Sequence, residues 1–191
     1  MRTQARALNL PNCDRKDSTG ICFIGERRFK DFLAKFLPYN PGEIRTPEGA
    51  KMGEHDGLWF YTLGQRRGLD IGGPGKAWYV AKKDTSRNIL VVVQGHDSPA
   101  LMQETVQGAN AHWISGYAPN KTLIKCTARI RYRQKDQPCQ LLNRSSRAVN
   151  LRFETAQRAV TPGQSVVLYN GDLVLGGATI CASDDANEAA Y

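Results

Sequence analysis

Two stretches near the N-terminus place apolar residues at helical spacing. Residues 1–10 form the first stretch, and residues 27–37 form the second, in which phenylalanine and leucine recur every three or four positions. Pro38 ends the second stretch, because the residue before a proline avoids the α region. The pattern therefore predicts two short helices, and the apolar stripe of the second one needs a packing partner.

After residue 39 the pattern changes to short β-prone runs between glycines. The run LVVV at residues 90–93 and the run around Val80 flank the turn-forming residues 84–88, which predicts a β-hairpin. From about residue 100, short alternating runs recur at regular intervals, at 111–114, 123–130, 139–142, 149–153, 165–169 and 173–181. This spacing predicts an antiparallel β-barrel.

The last two of these runs are joined by Asn170, Gly171 and Asp172. Asparagine and glycine both accept the positive φ of a type I′ turn, so this segment predicts a tight hairpin of that type. The chain as a whole is predicted to be mainly β with short N-terminal helices. We divide it into an N-terminal piece (1–38), a small central β-rich domain (39–101), a barrel domain (102–182) and a frayed acidic tail (183–191).

Length and apolar content indicate a globular protein of one good-sized domain or two small ones, and we expect two. With 191 residues and a hydrophobic fraction of 41%, the chain can bury an ordinary core. No apolar run approaches the roughly 18 residues that a membrane helix needs, and the first twenty residues lack the apolar core of a signal peptide. We therefore expect a cytoplasmic protein that does not bind a membrane.

The cysteines and histidines give no metal-ligand or disulfide pattern. Five cysteines stand at positions 13, 22, 126, 139 and 181, without a C-x-x-C pair, and the three histidines are scattered. We expect reduced thiols, structural histidines and no metal site. Cys126, Cys139 and Cys181 lie in apolar strand patterns, where packing explains them.

The positive charge is concentrated in one segment. Between Lys121 and Tyr169 there are ten Lys and Arg residues and two acidic residues, an excess of +8 that equals the formal net charge of the whole chain. A polyanion would be bound by such a surface in a salt-sensitive way. A solvated basic face that keeps the protein soluble is the alternative interpretation.

Cys22 is the sharpest candidate for chemistry. It follows Ser-Thr-Gly and has Arg15, Lys16, Arg27 and Arg28 nearby in sequence, and these cations could stabilise a thiolate. A thiolate can accept and hold sulfane sulfur as a persulfide. The alternative is a buried cysteine that packs beside Phe23 and Ile24.

The segment from Arg129 to Gln134 is predicted to place alternating long polar residues on one strand face, with an aromatic residue among arginines. This arrangement suits RNA. Arginine pairs with phosphate and stacks on bases, and Tyr132 could stack an unpaired base, although a charged, solvent-facing strand is an equal alternative. A second basic segment, GQRRG at 64–68, could approach a phosphate through its backbone, although turn formation also explains its glycines. The segment GGPGK at 72–76 lacks the spacing of a Walker A loop, so no ATP site is predicted in this chain.

Four segments together resemble a known family. They are KDSTGICFIGER at 16–27, Gly57-Leu58 with YTLGQRRGL at 61–69, RYRQ at 131–134 and TPGQ at 161–164. In this order and spacing they are similar to the bacterial tRNA-specific 2-thiouridylases of the MnmA type, over residues 1–181.

The resemblance implies an activity and a set of roles. The family's enzymes use ATP, with Mg, to adenylate C2 of the wobble uridine of tRNA, and then deliver sulfur from a persulfide to form 2-thiouridine. Cys22 matches the family's persulfide cysteine. Arg131, Tyr132 and Gln164 match its tRNA-contacting positions, and Arg66, Arg67 and Arg133 are further candidates. The implied partners are tRNA and a persulfide sulfur donor protein, and the implied barrel is similar to domain 2 of elongation factor Tu.

The resemblance also implies that a part of the family enzyme lies outside this chain. The chain looks like the C-terminal two-thirds, with residues 1–38 as the tail of the catalytic domain. The N-terminal ATP-pyrophosphatase domain, with its Ser-Gly-Gly-x-Asp-Ser phosphate loop and second catalytic cysteine, does not match any segment. We expect a fragment, a mis-started reading frame or a subunit of a split enzyme, inactive in thiolation by itself.

Three functions are therefore open. The chain could be a sulfurtransferase part whose Cys22 passes sulfur once the catalytic domain is supplied. It could instead be a tRNA-binding module without catalysis, or an unrelated elongation-factor-like β protein that binds a protein partner. The last possibility predicts that a Cys22→Ser substitution has no effect in any sulfur assay.

Overall fold

The structure is a computed structural model, and it describes residues 2–9, 14, 32–119, 124–132, 134–144 and 147–182. The chain divides into two compact units, residues 1–39 and 40–191. In the first unit, helix α1 spans Arg2–Ala7. Of the second predicted helix only residues 32–37 are described, and they contain one helical turn closed by Leu37 N donating to Leu33 O at 2.9 Å.

The second unit begins with a four-stranded sheet. Its strands are β1 (Gly42–Arg45), β2 (Lys51–His55), β3 (Trp78–Asp84) and β4 (Ile89–Gln94), in the order β2-β1-β4-β3. The predicted hairpin is confirmed as the antiparallel pair β3 and β4. The pair β1 and β4 is parallel. One face of the sheet buries an apolar cluster that includes Ile44, Val80, Leu90 and Val92.

The sheet is followed by a closed six-stranded antiparallel barrel, as predicted. Its strands are β5 (Met102–Trp113), β6 (Ile124–Arg129), β7 (Gln137–Arg144), β8 (Ala148–Arg158), β9 (Ser165–Asn170) and β10 (Leu173–Ile180), in the order β10-β5-β8-β7-β6-β9. Val149, Leu151 and Phe153 alternate inward along β8 because successive side chains of a strand point to opposite faces. The domain boundaries that we drew at 38 and 101 stay a prediction.

The hairpin between β9 and β10 is confirmed, but the predicted type I′ turn is wrong. Asn170 pairs with Leu173, so Gly171 and Asp172 are the two central residues. Only Gly171 has a positive φ, of 56°, whereas a type I′ turn needs two. A positive φ at the first central residue alone is the type II′ pattern, and glycine meets that requirement by itself.

His55 is buried at the edge of the sheet. Its side chain is 1% exposed, its Nε2 lies 3.2 Å from the carbonyl oxygen of Asn88, and its ring packs edge-on against Tyr61 at 6.0 Å. Burial lowers the pKa of His55, and the bond to Asn88 and the charge of Asp56 oppose this shift more weakly. The folded protein therefore favours the neutral ring.

We expect this burial to make the stability of the protein pH-dependent. Since the pKa of His55 is lower in the folded chain, the stabilisation is complete above the unfolded value of about 6.5 and is lost as pH falls below it, by up to about 1.4 kcal/mol per pH unit. Urea unfolding between pH 7.5 and about 5 measures this slope. A His55→Gln variant should have a flatter profile, while His112→Gln, at an exposed position, serves as the control. Identical slopes in the wild type and His55→Gln would contradict the account.

Two cysteines face each other inside the barrel. Cys126 on β6 is paired with Cys139 on β7, and their Sγ atoms lie 3.6 Å apart. The thiol hydrogen bond and burial raise the pKa of Cys139. Both thiols are free and buried, whereas Cys181, just after β10, is partly exposed.

We expect iodoacetamide to distinguish these thiols. In the native protein Cys181 should be alkylated well before Cys126 and Cys139, because burial keeps the reagent away from both barrel thiols and the raised pKa of Cys139 further lowers its thiolate fraction. Peptide mass mapping after a timed quench measures each rate, and all three should react alike in denaturant. Native alkylation of Cys139 as fast as that of Cys181 would show that the barrel core is open.

Candidate nucleic-acid interface

The turn after β6 carries Arg131 and Tyr132, two of the residues predicted to contact tRNA. Strand β6 ends at Arg129, and the chain then turns: Ile130 N donates to Gln134 Oε1 at 2.9 Å, and Gln134 N donates to Arg131 O at 3.2 Å. Tyr132, at the tip, is 90% exposed. The prediction that residues 129–134 form one strand face is therefore wrong, because the side chain of Gln134 closes a turn there.

The closing glutamine is anchored in the barrel. Gln134 Nε2 donates to Gln157 Oε1 at 2.7 Å. Gln157 is only 3% exposed, and its own Nε2 donates to Thr155 O at 2.7 Å. Because the side-chain amides of Gln134 and Gln157 both have hydrogen-bond partners, the turn holds Arg131 and Tyr132 in a defined position.

Arg131 reaches across to the loop after β8. Its Nη2 donates to the carbonyl oxygen of Ala159 at 3.0 Å, and the same carbonyl accepts the hydroxyl of Thr161 at 3.0 Å. Ala159 has a φ of 49°, a left-handed conformation that costs an alanine about 1–2 kcal/mol. Arg131 has one guanidinium bond within the described chain, which leaves donors that could bind a ligand.

Gln164 lies in a turn that is tied to β10. Gly163 N donates to Ile180 O at 2.9 Å, and Ile180 N donates to Gln164 O at 2.7 Å. The side chain of Gln164 is exposed and hydrogen-bonds to no described residue. Its amide is therefore available as both donor and acceptor.

The basic loop 62–68 of the sheet is organised by Gln65. Gln65 Oε1 accepts Thr62 N at 2.9 Å, and its Nε2 donates to Arg67 O at 2.9 Å. Val80 N donates to Gln65 O at 3.0 Å, which fixes the loop to β3. The side chain of Gln65 therefore holds the loop together, while the side chains of Arg66 and Arg67 are exposed.

A cleft brings these segments together. It has a volume of about 410 Å³ and is lined by Thr62, Leu63, Gly64 and Gln65 from the sheet and by Ile130, Arg131, Thr161 and Gln164 from the barrel. A neighbouring hollow of about 500 Å³ contains Arg131, Tyr132 and Arg158. Arg131 and Gln164, predicted from separate motifs, therefore meet at one site beside Tyr132. Arg66 and Arg67 belong to the loop that forms one wall but do not line the cleft.

The basic segment does not form a single free patch. Lys125 and Arg152 are exposed on the outer face of the barrel, where both are in register with Gln140. Arg129 instead forms an ion pair with Asp136, and its guanidinium lies 4.7 Å from the centre of the Tyr169 ring. Arg158 is turned toward the sheet. Some of the arginines counted in the sequence therefore contact other parts of the protein and do not belong to a free basic surface.

Two other predicted candidates, Cys22 and Arg133, lie outside the described residues. The segment 72–76 leads directly into the sheet. Lys76 faces Asp97 at 3.9 Å, and the chain continues from it into β3 rather than into a helix whose N-terminus could hold phosphates. None of the described helices is long and apolar enough to span a membrane.

Fold and site together define a β protein of two modules, the four-stranded sheet with its loops and the six-stranded barrel, with a cleft between them. The comparisons with known proteins match each module separately. Residues 30–94 match the model described as tRNA methyl transferase PRC-barrel domain, and residues 103–180 match aminomethyltransferase beta-barrel domain. The protein named tRNA-specific 2-thiouridylase MnmA of Francisella philomiragia is 52% identical over 184 residues, 94% of this chain and 51% of that protein. The proteins of the same name from Ralstonia pickettii and Ralstonia nicotianae are 52% and 51% identical over 97% and 98% of this chain.

The chain belongs to the tRNA-specific 2-thiouridylase family. It spans about half the length of the curated relatives that it matches, from their C-terminal part, and thus less than the two-thirds that we expected.

Proposed function

We propose that this chain is the tRNA-binding part of a tRNA 2-thiouridylase, a sulfurtransferase that makes 2-thiouridine at the wobble position. The observation that carries the proposal is the cleft in which Arg131 and Gln164 meet beside the exposed Tyr132. The family to which the chain belongs supports tRNA as the ligand. We place the protein in the cytoplasm, where tRNA is modified.

The chemistry of the cleft suits an RNA loop better than a duplex. The guanidinium of Arg131 would pair with a phosphate, and the ring of Tyr132 would stack on an unpaired base. The amide of Gln164 would hydrogen-bond to a base edge or a ribose hydroxyl, since its donor and acceptor are both available. Leu63 and Ile130 provide apolar walls between these polar groups.

Cys22 would carry the sulfur. In this proposal its thiolate attacks the persulfide of a donor protein, takes over the terminal sulfur atom and releases the donor's thiolate. The terminal sulfur of the Cys22 persulfide would then bond to the activated C2 of the uridine, and the activated oxygen would leave. The S–S bond to Cys22 would break as the second cysteine, in the catalytic domain, attacks Cys22 Sγ, which leaves the sulfur on the uridine and a disulfide between the two cysteines. ATP supplies the activation of that position in the complete enzyme, and the catalytic domain that binds it is a partner of these residues rather than part of them.

Binding of tRNA tests the proposal. We expect fluorescein-labelled tRNA transcript with uridine at the wobble position to bind with salt-steep affinity, and Arg131→Ala/Tyr132→Ala to weaken binding at least tenfold, since stacking and a phosphate contact each contribute about 1–3 kcal/mol. Lys82→Ala/Tyr39→Ala removes one basic and one exposed aromatic residue elsewhere and is the matched control. Equal affinities for wild type and the cleft variant would refute this use of the cleft.

Transfer of sulfur to Cys22 is tested separately. We expect the chain to gain one sulfur atom on Cys22 when it is incubated with a persulfide-bearing donor protein, as read by non-reducing peptide mass spectrometry. Cys22→Ser should remove this product completely, and Cys181→Ser should leave it unchanged. If Cys22→Ser makes no difference while tRNA still binds, the chain is a tRNA-binding module without a role in sulfur transfer.

A further inference from the structure

We propose that Arg158 is a positioning residue that sets the basic loop 62–68 against the turn carrying Arg131 and Tyr132, so that the two modules act as one RNA-binding surface. The inference rests on the proposed tRNA-binding function. It places Arg158 at the contact between the sheet and the barrel, which we call the joint, although its position in the basic segment would suggest that it binds a phosphate.

The side chain of Arg158 contacts three separate segments of the sheet module. Its Nε donates to His96 O at 2.9 Å, and its Nη2 lies 3.4 Å from Gly64 O. Its guanidinium carbon lies 4.9 Å from the centre of the Tyr79 ring, which itself packs edge-on against His96. The last residue of β8 thereby connects the barrel to β3, to the segment after β4 and to the basic loop.

The next residue completes the joint. Ala159 N donates to Leu101 O at 2.6 Å, and Ala159 O accepts the Nη2 of Arg131 at 3.0 Å. A Cβ on Gly64 would lie 2.7 Å from the Cβ of Ala159 and 3.1 Å from Nη1 of Arg158. Residues 158 and 159 thus contact the basic loop on one side and Arg131 on the other, which sets the distance between them.

The contacts of Arg158 depend on the shape of its side chain. Among the described residues its partners are two carbonyl oxygens and a ring, without a carboxylate, whereas Arg129 is paired with Asp136. The planar guanidinium can donate in two directions and stack at the same time, which a lysine ammonium cannot do. A lysine at this position would keep the charge and lose the joint.

Salt-dependent tRNA binding tests the role. We expect Arg158→Ala to weaken binding of the tRNA transcript about tenfold and to reduce the slope of log affinity against log salt by about two, because Arg66 and Arg67 lose their alignment with the phosphates. Arg158→Lys should behave like Arg158→Ala, and it carries the test if the alanine variant does not fold. Arg152→Ala, which removes the same charge from the outer face of the same strand, should reduce the slope by no more than about one.

A double-mutant cycle separates positioning from general destabilisation. Arg66→Ala/Arg67→Ala should weaken binding about tenfold in the wild type and less than about threefold in the Arg158→Lys background, because the loop no longer contributes there. Additive effects would overturn the proposal, since Arg158 would then act independently of the loop. If Arg131→Ala/Tyr132→Ala also has no effect, the proposed function fails as well, so the two failures are distinguishable.

Discussion

We expect Leu151→Ala to lower the free energy of unfolding by about 2–5 kcal/mol, the range for removing a buried leucine side chain. Leu151 is fully buried on β8 and is in register with Val106 on one neighbouring strand and Leu141 on the other. All three are inside a closed barrel, so the surrounding strands cannot collapse into the space without breaking the ladder. Urea unfolding followed by tryptophan fluorescence measures the loss.

A matched leucine provides the control for this prediction. Leu173, at the start of β10, is 69% exposed, and Leu173→Ala should change the unfolding free energy by less than about 0.5 kcal/mol. If both substitutions have the same small effect, the barrel core is not packed as described. A large effect of Leu151→Ala alone supports the inward alternation along β8.

The second large effect is expected at Gly64. Gly64→Ala should cost about 1–2 kcal/mol for a side chain at a φ of 77°, and about 1–3 kcal/mol more because its Cβ would lie 2.7 Å from the Cβ of Ala159. The clash would push the basic loop away from the barrel. We therefore also expect weaker tRNA binding.

A substitution at Gly68 separates the cost of the steric clash from the cost of the backbone strain. It lies in the same loop with a φ of 72°, and no atom lies within 4 Å of the Cβ that alanine would add. Gly68→Ala should show the backbone cost alone, so the difference between the two variants measures the clash with the barrel. Equal unfolding free energies for both variants would mean that the loop does not press on Ala159.

The strand pattern was predictable because it depends on local alternation. Inward residues on β8 and the hairpin of β3 and β4 follow from period-two burial and from turn residues, which the sequence contains directly. The separate motifs around Arg131 and Gln164 also indicated one function. Their meeting at one cleft depends on barrel closure, which places the turn after β6 beside the loop after β8, and no short-range pattern contains that information.

The hydrogen-bond and ion-pair partners of individual side chains could not be predicted from the sequence. Gln134 appeared as one polar residue of a strand, and only its bond to Ile130 N reveals a turn. Arg129 and Arg158 were counted with the other cations, and the fold assigns one to Asp136 and the other to backbone carbonyls. Charge counting treats every arginine as available, whereas hydrogen bonding depends on partners distant in the chain.

Hydroxyl-radical footprinting tests the central claim most directly, because it reads individual side chains with and without tRNA. Tyr132 and Tyr117 are both strongly exposed, at 90% and 69%. Tyr117 comes before β6 in the chain and Tyr132 comes after it, and the six residues of β6 span roughly 20 Å. We predict that tRNA protects Tyr132 from oxidation and leaves Tyr117 unchanged. Protection of Tyr117 with Tyr132 still oxidised at its free rate would contradict the account.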